Sequence, residues 1–198
     1  MKYMGSKARF APEIMPLILE GRKEGQYYVE PFCGGCNSLA CADGKRIGSD
    51  MNQYLIAMWK GLQAGIERPR IITKEMYDAA RRDFRSGRND HYDDFRIGWI
   101  GFMSSFNGKF FQGYTGNTSV NRDYIRESIN NIERQIARLQ DVAFFNCGYE
   151  ELAIPDQSII YCDIPYRDTS KYNVKKGFDY DRFWSWCALQ KKGSSGLC

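Results

Sequence analysis

The chain has 198 residues, of which 43% are hydrophobic and 26% charged, and its formal net charge is +4. This composition fits one globular domain with a substantial core, and the modest charge permits a polyanionic partner without requiring one. No apolar run reaches the roughly 18 residues of a membrane span, and no signal peptide is recognisable, so we expect a cytoplasmic protein.

The first third of the chain predicts a helix followed by a βαβ unit. The predicted elements are a helix over residues 6–20, a strand over 27–29, a helical stretch over 37–42, a strand over 46–50, and a helix with Leu55, Ile56, Met58, Trp59 and Leu62 on its apolar face. Pro16 is expected to kink the first helix.

Residues 67–120 do not continue the βαβ pattern; they contain clustered arginines and an aromatic-rich stretch over 99–114. We interpret this part of the chain as an insertion and expect most of its aromatic residues to lie in a core. A helix over 122–139, strands over 142–145 and 158–162, and a helix over 178–189 follow. The apolar strand over 158–162 is typical of a strand buried on both faces. We therefore predict an α/β domain built from residues 1–66 and 140–198, with an insertion over 67–139.

A glycine turn and an acid follow the first two strands. Gly34 and Gly35 come directly after the first strand, and Asp50 ends the second, twenty residues after Glu30. Such a turn lets backbone N–H groups approach a ligand, and an acid at that position can bind ribose hydroxyls. The alternative is a simple tight turn at Gly34, with Asp50 as a helix cap.

The tetrapeptide Asp163-Ile164-Pro165-Tyr166 follows the apolar strand. A carboxylate and a neighbouring carbonyl could accept hydrogen bonds from the exocyclic amine of adenine, which localises the amine's lone pair for attack. A tyrosine could stack on a base flipped out of duplex DNA. The alternative is that Asp163 caps a turn and Tyr166 fills the core.

Seven cysteines invite a zinc hypothesis, since Cys33 and Cys36 form a CxxC. A closed zinc site usually needs four paired ligands, whereas there is no second CxxC and the only histidine is His91. We expect reduced, small buried residues around the glycine turn and no metal.

Four segments, in this order, resemble the Dam-like, phage-type DNA adenine-N6 methyltransferases. They are the Lys-Tyr-Met-Gly-Ser-Lys segment at 2–7, Val-Glu-Pro-Phe-Cys-Gly-Gly at 29–35, Ser-Phe-Asn-Gly-Lys-Phe-Phe at 105–111 and the tetrapeptide at 163–166, one residue from the family's Asp-Pro-Pro-Tyr. The resemblance covers about residues 2–187 and implies a Rossmann-like sheet, S-adenosylmethionine as cofactor, double-stranded DNA as partner, a helical target-recognition insertion and a bacterial or phage-infected host cell.

The resemblance also implies roles for individual residues. The cofactor would be held by Tyr3, Lys7, Glu30, Pro31, Phe32, Gly34, Asp50, Tyr149 and Asp163, with Glu150 beside its adenine ring. The catalytic residues would be Asp163, Ile164, Pro165 and Tyr166, and DNA would be contacted by Asn107, Lys109 and Arg122. For Lys7 taken alone, a solvated surface lysine is the alternative.

Two departures from the family lead us to expect impaired activity. Ile164 replaces a proline; it keeps the carbonyl but frees the chain, at a cost of about 0.4–1 kcal/mol. Residues 191–198 stand where the family continues with further strands, so we expect a truncated sheet whose Asp163 strand is an apolar edge. A catalytically inactive remnant that binds S-adenosylmethionine or DNA, and methyltransferases acting on RNA or on protein glutamine, remain alternatives.

Overall fold

The structure is a computed structural model that describes residues 1–116, 122–165 and 178–190. Within these ranges the chain forms four strands and six α-helices, which confirms the predicted α/β class. The strands are β1 (Tyr28–Glu30), β2 (Arg46–Ser49), β3 (Val142–Phe145) and β4 (Ile159–Ile160). The helices are α1 (Ala11–Ile18), α2 (Gln53–Gln63), α3 (Lys74–Ser86), α4 (Asp94–Ser104), α5 (Tyr124–Ile136) and α6 (Tyr180–Gln190). The tail at 191–198 and Tyr166 lie outside the described residues.

The four strands form one parallel sheet in the order β3-β2-β1-β4. Because all of them run in the same direction, the residues that follow their carboxyl ends lie along one edge of the sheet. Chain order reverses between β1 and β4, and ligands of open parallel sheets bind at such a switch point. Among the described strands β4 is at an edge, and both its isoleucines are buried.

The first helix is shorter than its apolar pattern predicts. Helix α1 begins at Ala11, and Pro12 occupies its first turn, where a missing N–H costs nothing. Residues before it form turns, in which the amides of Phe10 and Ala11 both donate to the Lys7 carbonyl at 2.8 Å. Leu17 is 68% exposed, so the apolar spacing overstated how much of this helix is buried.

The crossover between β1 and β2 contains only a 3₁₀ turn, Leu39–Cys41, and the predicted helix over 37–42 is wrong in this respect. The Leu39 carbonyl accepts from the Ala42 amide at 3.3 Å and from Arg46 Nη1 at 2.9 Å. Ala42 is already extended. The Leu39 carbonyl, which would accept a hydrogen bond inside a longer helix, is therefore bound by Arg46, the first residue of β2.

Helix α4 lies at the centre of the part of the chain predicted as an insertion. It packs against α2, α3 and α5, and its residues Trp99, Ile100 and Phe102 belong to the same apolar cluster as the sheet residues Tyr28 and Phe144. By contrast, two arginines of the preceding helix, α3, are exposed: Arg82 and Arg85. No helix within the described ranges is long and apolar enough to cross a bilayer.

Gly98 sets the closest approach of α4 to α2. A Cβ atom added at Gly98 would lie 2.1 Å from the Tyr54 carbonyl oxygen, a backbone atom that cannot rotate away. Replacing it with alanine therefore forces the two helices apart, and overpacking of this kind costs about 1–3 kcal/mol.

We predict that Gly98→Ala lowers the free energy of unfolding by that amount in urea titrations. Gly148→Ala is the matched control, since a Cβ there meets nothing within 4 Å. Equal stability of the two variants would contradict the packing described here.

Candidate cofactor and catalytic site

The glycine turn after β1 is covered by Tyr3. A Cβ atom at Gly34, whose φ is +44°, would lie 2.7 Å from Cε1 of the Tyr3 ring, and one at Gly35 would lie 2.8 Å from the Tyr3 Cβ. Any side chain at these positions would collide with the N-terminal segment. The fold thus brings together two of the segments on which the family resemblance rests.

Asp50 joins this turn to the end of β2. Its carboxylate accepts the Gly34 amide at 3.2 Å and the Asn52 amide at 2.9 Å, and its carbonyl accepts Asn146 Nδ2 at 2.9 Å. Burial raises the pKa of Asp50, and the two amide hydrogen bonds oppose that shift. The N-cap of α2 is Asn52, so Asp50 is not the helix cap considered as its alternative role.

Lys7 and Asp163 meet although 156 residues separate them in the chain. Lys7 Nζ lies 2.7 Å from Asp163 Oδ1 and 2.9 Å from Oδ2, and the two side chains are only 24% and 29% exposed. Lys7 is therefore not a solvated surface lysine. The N-terminal segment and the start of the tetrapeptide therefore meet beyond the end of β4.

The next two residues of the tetrapeptide, Ile164 and Pro165, lie against α6 and its apolar cluster. The Ile164 side chain packs against the cluster that contains Phe183 and Trp186, and the Tyr180 hydroxyl donates to the Pro165 carbonyl at 2.8 Å. These contacts restrain the chain at the Ile164 side chain and at the carbonyl of the next residue, Pro165.

An aromatic cluster forms the wall between the glycine turn and α6. Phe32 and Tyr149 have ring centroids 5.5 Å apart, and both pack against Phe183 at 5.9 and 5.4 Å. Burial raises the pKa of Tyr149. Glu150, next in the chain, points to the surface and pairs with Arg182 at 2.6 Å.

Glu30 is a buried carboxyl at the end of β1, with 3% of its surface exposed. It accepts the Tyr28 hydroxyl at 2.7 Å. Burial raises the pKa of Glu30 to about 7, although hydrogen bonds from Tyr28 and Ser38 pull it down. The buried Pro31 follows and leads the chain into the glycine turn.

The residues expected to contact DNA have neighbours or partners that contact Lys2 of the N-terminal segment. Asn107 is exposed and has a φ of +54° in a turn whose Gly108 approaches the Lys2 carbonyl, since an added Cβ would lie 2.7 Å from that oxygen. Lys109 follows and is half-buried. Arg122 pairs with Glu127 at 2.6 Å, a carboxylate that also lies 3.6 Å from Lys2 Nζ, and Arg122 would have to exchange this partner for a phosphate.

Several residues at the site were missed by the sequence interpretation. Tyr28 could have been found, because residues i and i−2 of a strand face the same side and it precedes Glu30 by two positions. Trp59 Nε1, which donates to the Gly34 carbonyl at 3.2 Å, comes from a helix face that the pattern marks only as apolar. Asn146 and Tyr180 gave no signal. Cys33 and Cys36 are buried free thiols, as expected for their packing role.

The raised pKa of Glu30 predicts a specific pH dependence of stability. The folded protein holds this proton more tightly than the unfolded chain, so the contribution is fully present below about pH 4.5 and is lost as pH rises through about 7. Glu30→Gln keeps a neutral group at every pH and can still accept from Tyr28.

We predict that Glu30→Gln becomes more stable relative to wild type between pH 5 and pH 8, by about 1–3 kcal/mol in denaturant titrations. Glu24→Gln, which removes an exposed carboxyl, controls for the loss of one surface charge. A stability difference for Glu30→Gln that does not change with pH would show that Glu30 ionises as readily in the fold as in the unfolded chain.

The profile of the family described as D12 class N6 adenine-specific DNA methyltransferase matches residues 3–186, which include every segment brought together at this edge of the sheet. Comparison with curated proteins finds no match. The chain therefore belongs to the D12 class N6 adenine-specific DNA methyltransferase family.

Proposed function

We propose that the chain transfers a methyl group from S-adenosylmethionine to the N6 amine of adenine in double-stranded DNA. The observation that carries the proposal is the bidentate contact of Lys7 with Asp163, at the same sheet edge as Glu30 and Asp50. Family membership supports the reaction, and the strand order agrees with one half of a Rossmann-like sheet.

The residues at the strand ends fit a cationic nucleoside cofactor. S-adenosylmethionine supplies an electrophilic methyl group on a positively charged sulfur. Glu30, Asp50 and Asp163 place three carboxyl groups along this edge, and Lys7 balances one of them. Gly34 donates its backbone N–H to one carboxylate oxygen of Asp50, and Asp50 keeps unused acceptor positions for ribose hydroxyls.

Phe32 and Tyr149 fit the adenine end of such a cofactor. Both rings are only partly buried in the aromatic cluster, which leaves surface for contact with a planar base. Tyr3 packs over the glycine turn that follows Phe32 in the chain. Pro31 contributes by holding the chain as it enters that turn.

Asp163 and the Ile164 carbonyl would act on the target amine. The amine is a poor nucleophile because its lone pair is delocalised into the ring. Two acceptors at its hydrogens localise that pair and stabilise the positive charge that develops during attack. Isoleucine keeps the carbonyl on which this role depends. Tyr166, which lies outside the described residues, is proposed to stack on the flipped base.

The remaining surface would bind and recognise DNA. We propose residues 67–139 as the target-recognition insertion on a domain formed by residues 1–66 and 140–198. Asn107 and Lys109 lie beside the N-terminal segment, where they can reach a flipped base or its flanking phosphates. The exposed arginines of α3 would add contacts to phosphates, as Arg122 would after releasing Glu127.

Cofactor binding and catalysis are tested separately by two aspartates. We predict that Asp50→Ala abolishes calorimetric binding of S-adenosylmethionine. We predict that Asp163→Ala binds the cofactor with reduced but measurable affinity and, at saturating cofactor, loses about 10²–10³-fold in methyl transfer to unmethylated duplex DNA, the usual cost of removing one preorganised catalytic hydrogen-bonding group. N6-methyladenine is measured in the digested product by mass spectrometry.

Asp156→Ala is the matched control for both variants, because Asp156 is an exposed aspartate just before β4. Binding of the cofactor without any methyl transfer by the wild-type protein would support the binding-only alternative. Transfer to RNA or to a glutamine peptide, with none to DNA, would move the protein to another class of methyltransferase.

A further inference from the structure

Tyr180 reaches from the start of α6 to the tetrapeptide. Its hydroxyl donates to the Pro165 carbonyl oxygen at 2.8 Å, in a partly buried position. Its ring also packs edge-on against Phe178, with centroids 5.0 Å apart, and Phe178 in turn packs against Phe32 of the glycine turn. The hydroxyl group is therefore held from two sides rather than left at the end of a mobile side chain.

The segment that Tyr180 contacts has one unusually free position. Isoleucine at 164 leaves its own φ unrestricted, whereas a proline would fix it. Pro165 restricts Ile164 only partly, by biasing it towards extended conformations. The direction of the Ile164 carbonyl therefore depends on contacts made by its neighbours.

Two polar contacts bracket this free position. On one side, the Lys7 ammonium group donates to both carboxylate oxygens of Asp163. On the other side, the Tyr180 hydroxyl donates to the Pro165 carbonyl. The Ile164 side chain itself packs into the cluster that contains Phe183 and Trp186 of α6. Helix α6 thus supplies both a hydrogen bond and a packing surface to the same turn.

We propose that Tyr180 is a positioning residue: it fixes the Pro165 carbonyl, one peptide beyond the Ile164 carbonyl, and through the rigid Pro165 ring it aims the Ile164 carbonyl at the target amine. This inference rests on the proposed function. It assigns to a tyrosine hydroxyl the restraint that a proline ring at 164 would supply covalently. Because methyl transfer depends on the direction of the Ile164 carbonyl, a small rotation of that carbonyl slows methyl transfer without weakening cofactor binding.

A double-mutant cycle between positions 164 and 180 tests the proposal. We expect Tyr180→Phe to lower kcat about three- to ten-fold, the effect of losing one hydrogen bond, with less than a two-fold change in KM for S-adenosylmethionine. In the Ile164→Pro background the same change should lower kcat by less than about two-fold, since the ring already restrains the chain.

Tyr114→Phe is the matched control, because its hydroxyl also donates to a backbone carbonyl at 2.8 Å, that of Ile72, far from position 164 in the chain. Its effect should be the same in both backgrounds. An equal effect of Tyr180→Phe in both backgrounds, or a loss that appears in KM rather than kcat, would overturn the positioning role.

Hydrogen exchange separates this inference from the proposed function. If neither wild type nor Ile164→Pro methylates DNA, the proposed function fails, whereas exchange of the amides at 162 and 163 still reports on the turn. Tyr180→Phe should speed their exchange several-fold in the Ile164 protein and less in the Ile164→Pro protein. Unchanged exchange in both would overturn the inference on its own.

Discussion

The ion pair between Lys7 and Asp163 is the contact on which the candidate site depends. It closes a loop of 156 residues and joins the segment before α1 to the turn after β4. With Tyr3 packed over Gly34 and Gly35, it fixes the N-terminal segment across the switch point of the sheet. The other attachments of the tetrapeptide are β4, which pairs with β1, and the contacts with α6.

The parallel sheet explains why the charges collect where they do. Strands β1, β2 and β4 place Glu30, Asp50 and Asp163 along one edge of the sheet. Each of the three carboxyl groups has a different environment. The fold raises the pKa of Glu30 by burial, gives Asp50 two backbone amides and pairs Asp163 with a cation. Burial and the lysine therefore limit the negative charge of this edge, and the carboxylate paired with lysine directly precedes Ile164 in the chain.

Much of this arrangement could be predicted from the sequence, because its signals are local. Strand-like runs and the glycine turn located β1, β2, β3 and β4, whereas the order of the strands in the sheet was not predicted. The absence of an α-helix between β1 and β2 could not be predicted, because it depends on a hydrogen bond from the Arg46 side chain to the Leu39 carbonyl, which a helix would use. The partners of Asp163 were equally hidden, since no spacing rule connects it to Lys7 or connects Pro165 to Tyr180.

The most direct test of the central claim measures the affinity for S-adenosylmethionine of wild type, Lys7→Met, Asp163→Asn and the double variant. If the two side chains act as one unit of the site, the double variant should bind the cofactor more tightly than the sum of the single losses predicts, by at least about 0.5 kcal/mol. Strictly additive losses, or affinities equal to wild type in all three variants, would contradict a cofactor site built on this pair.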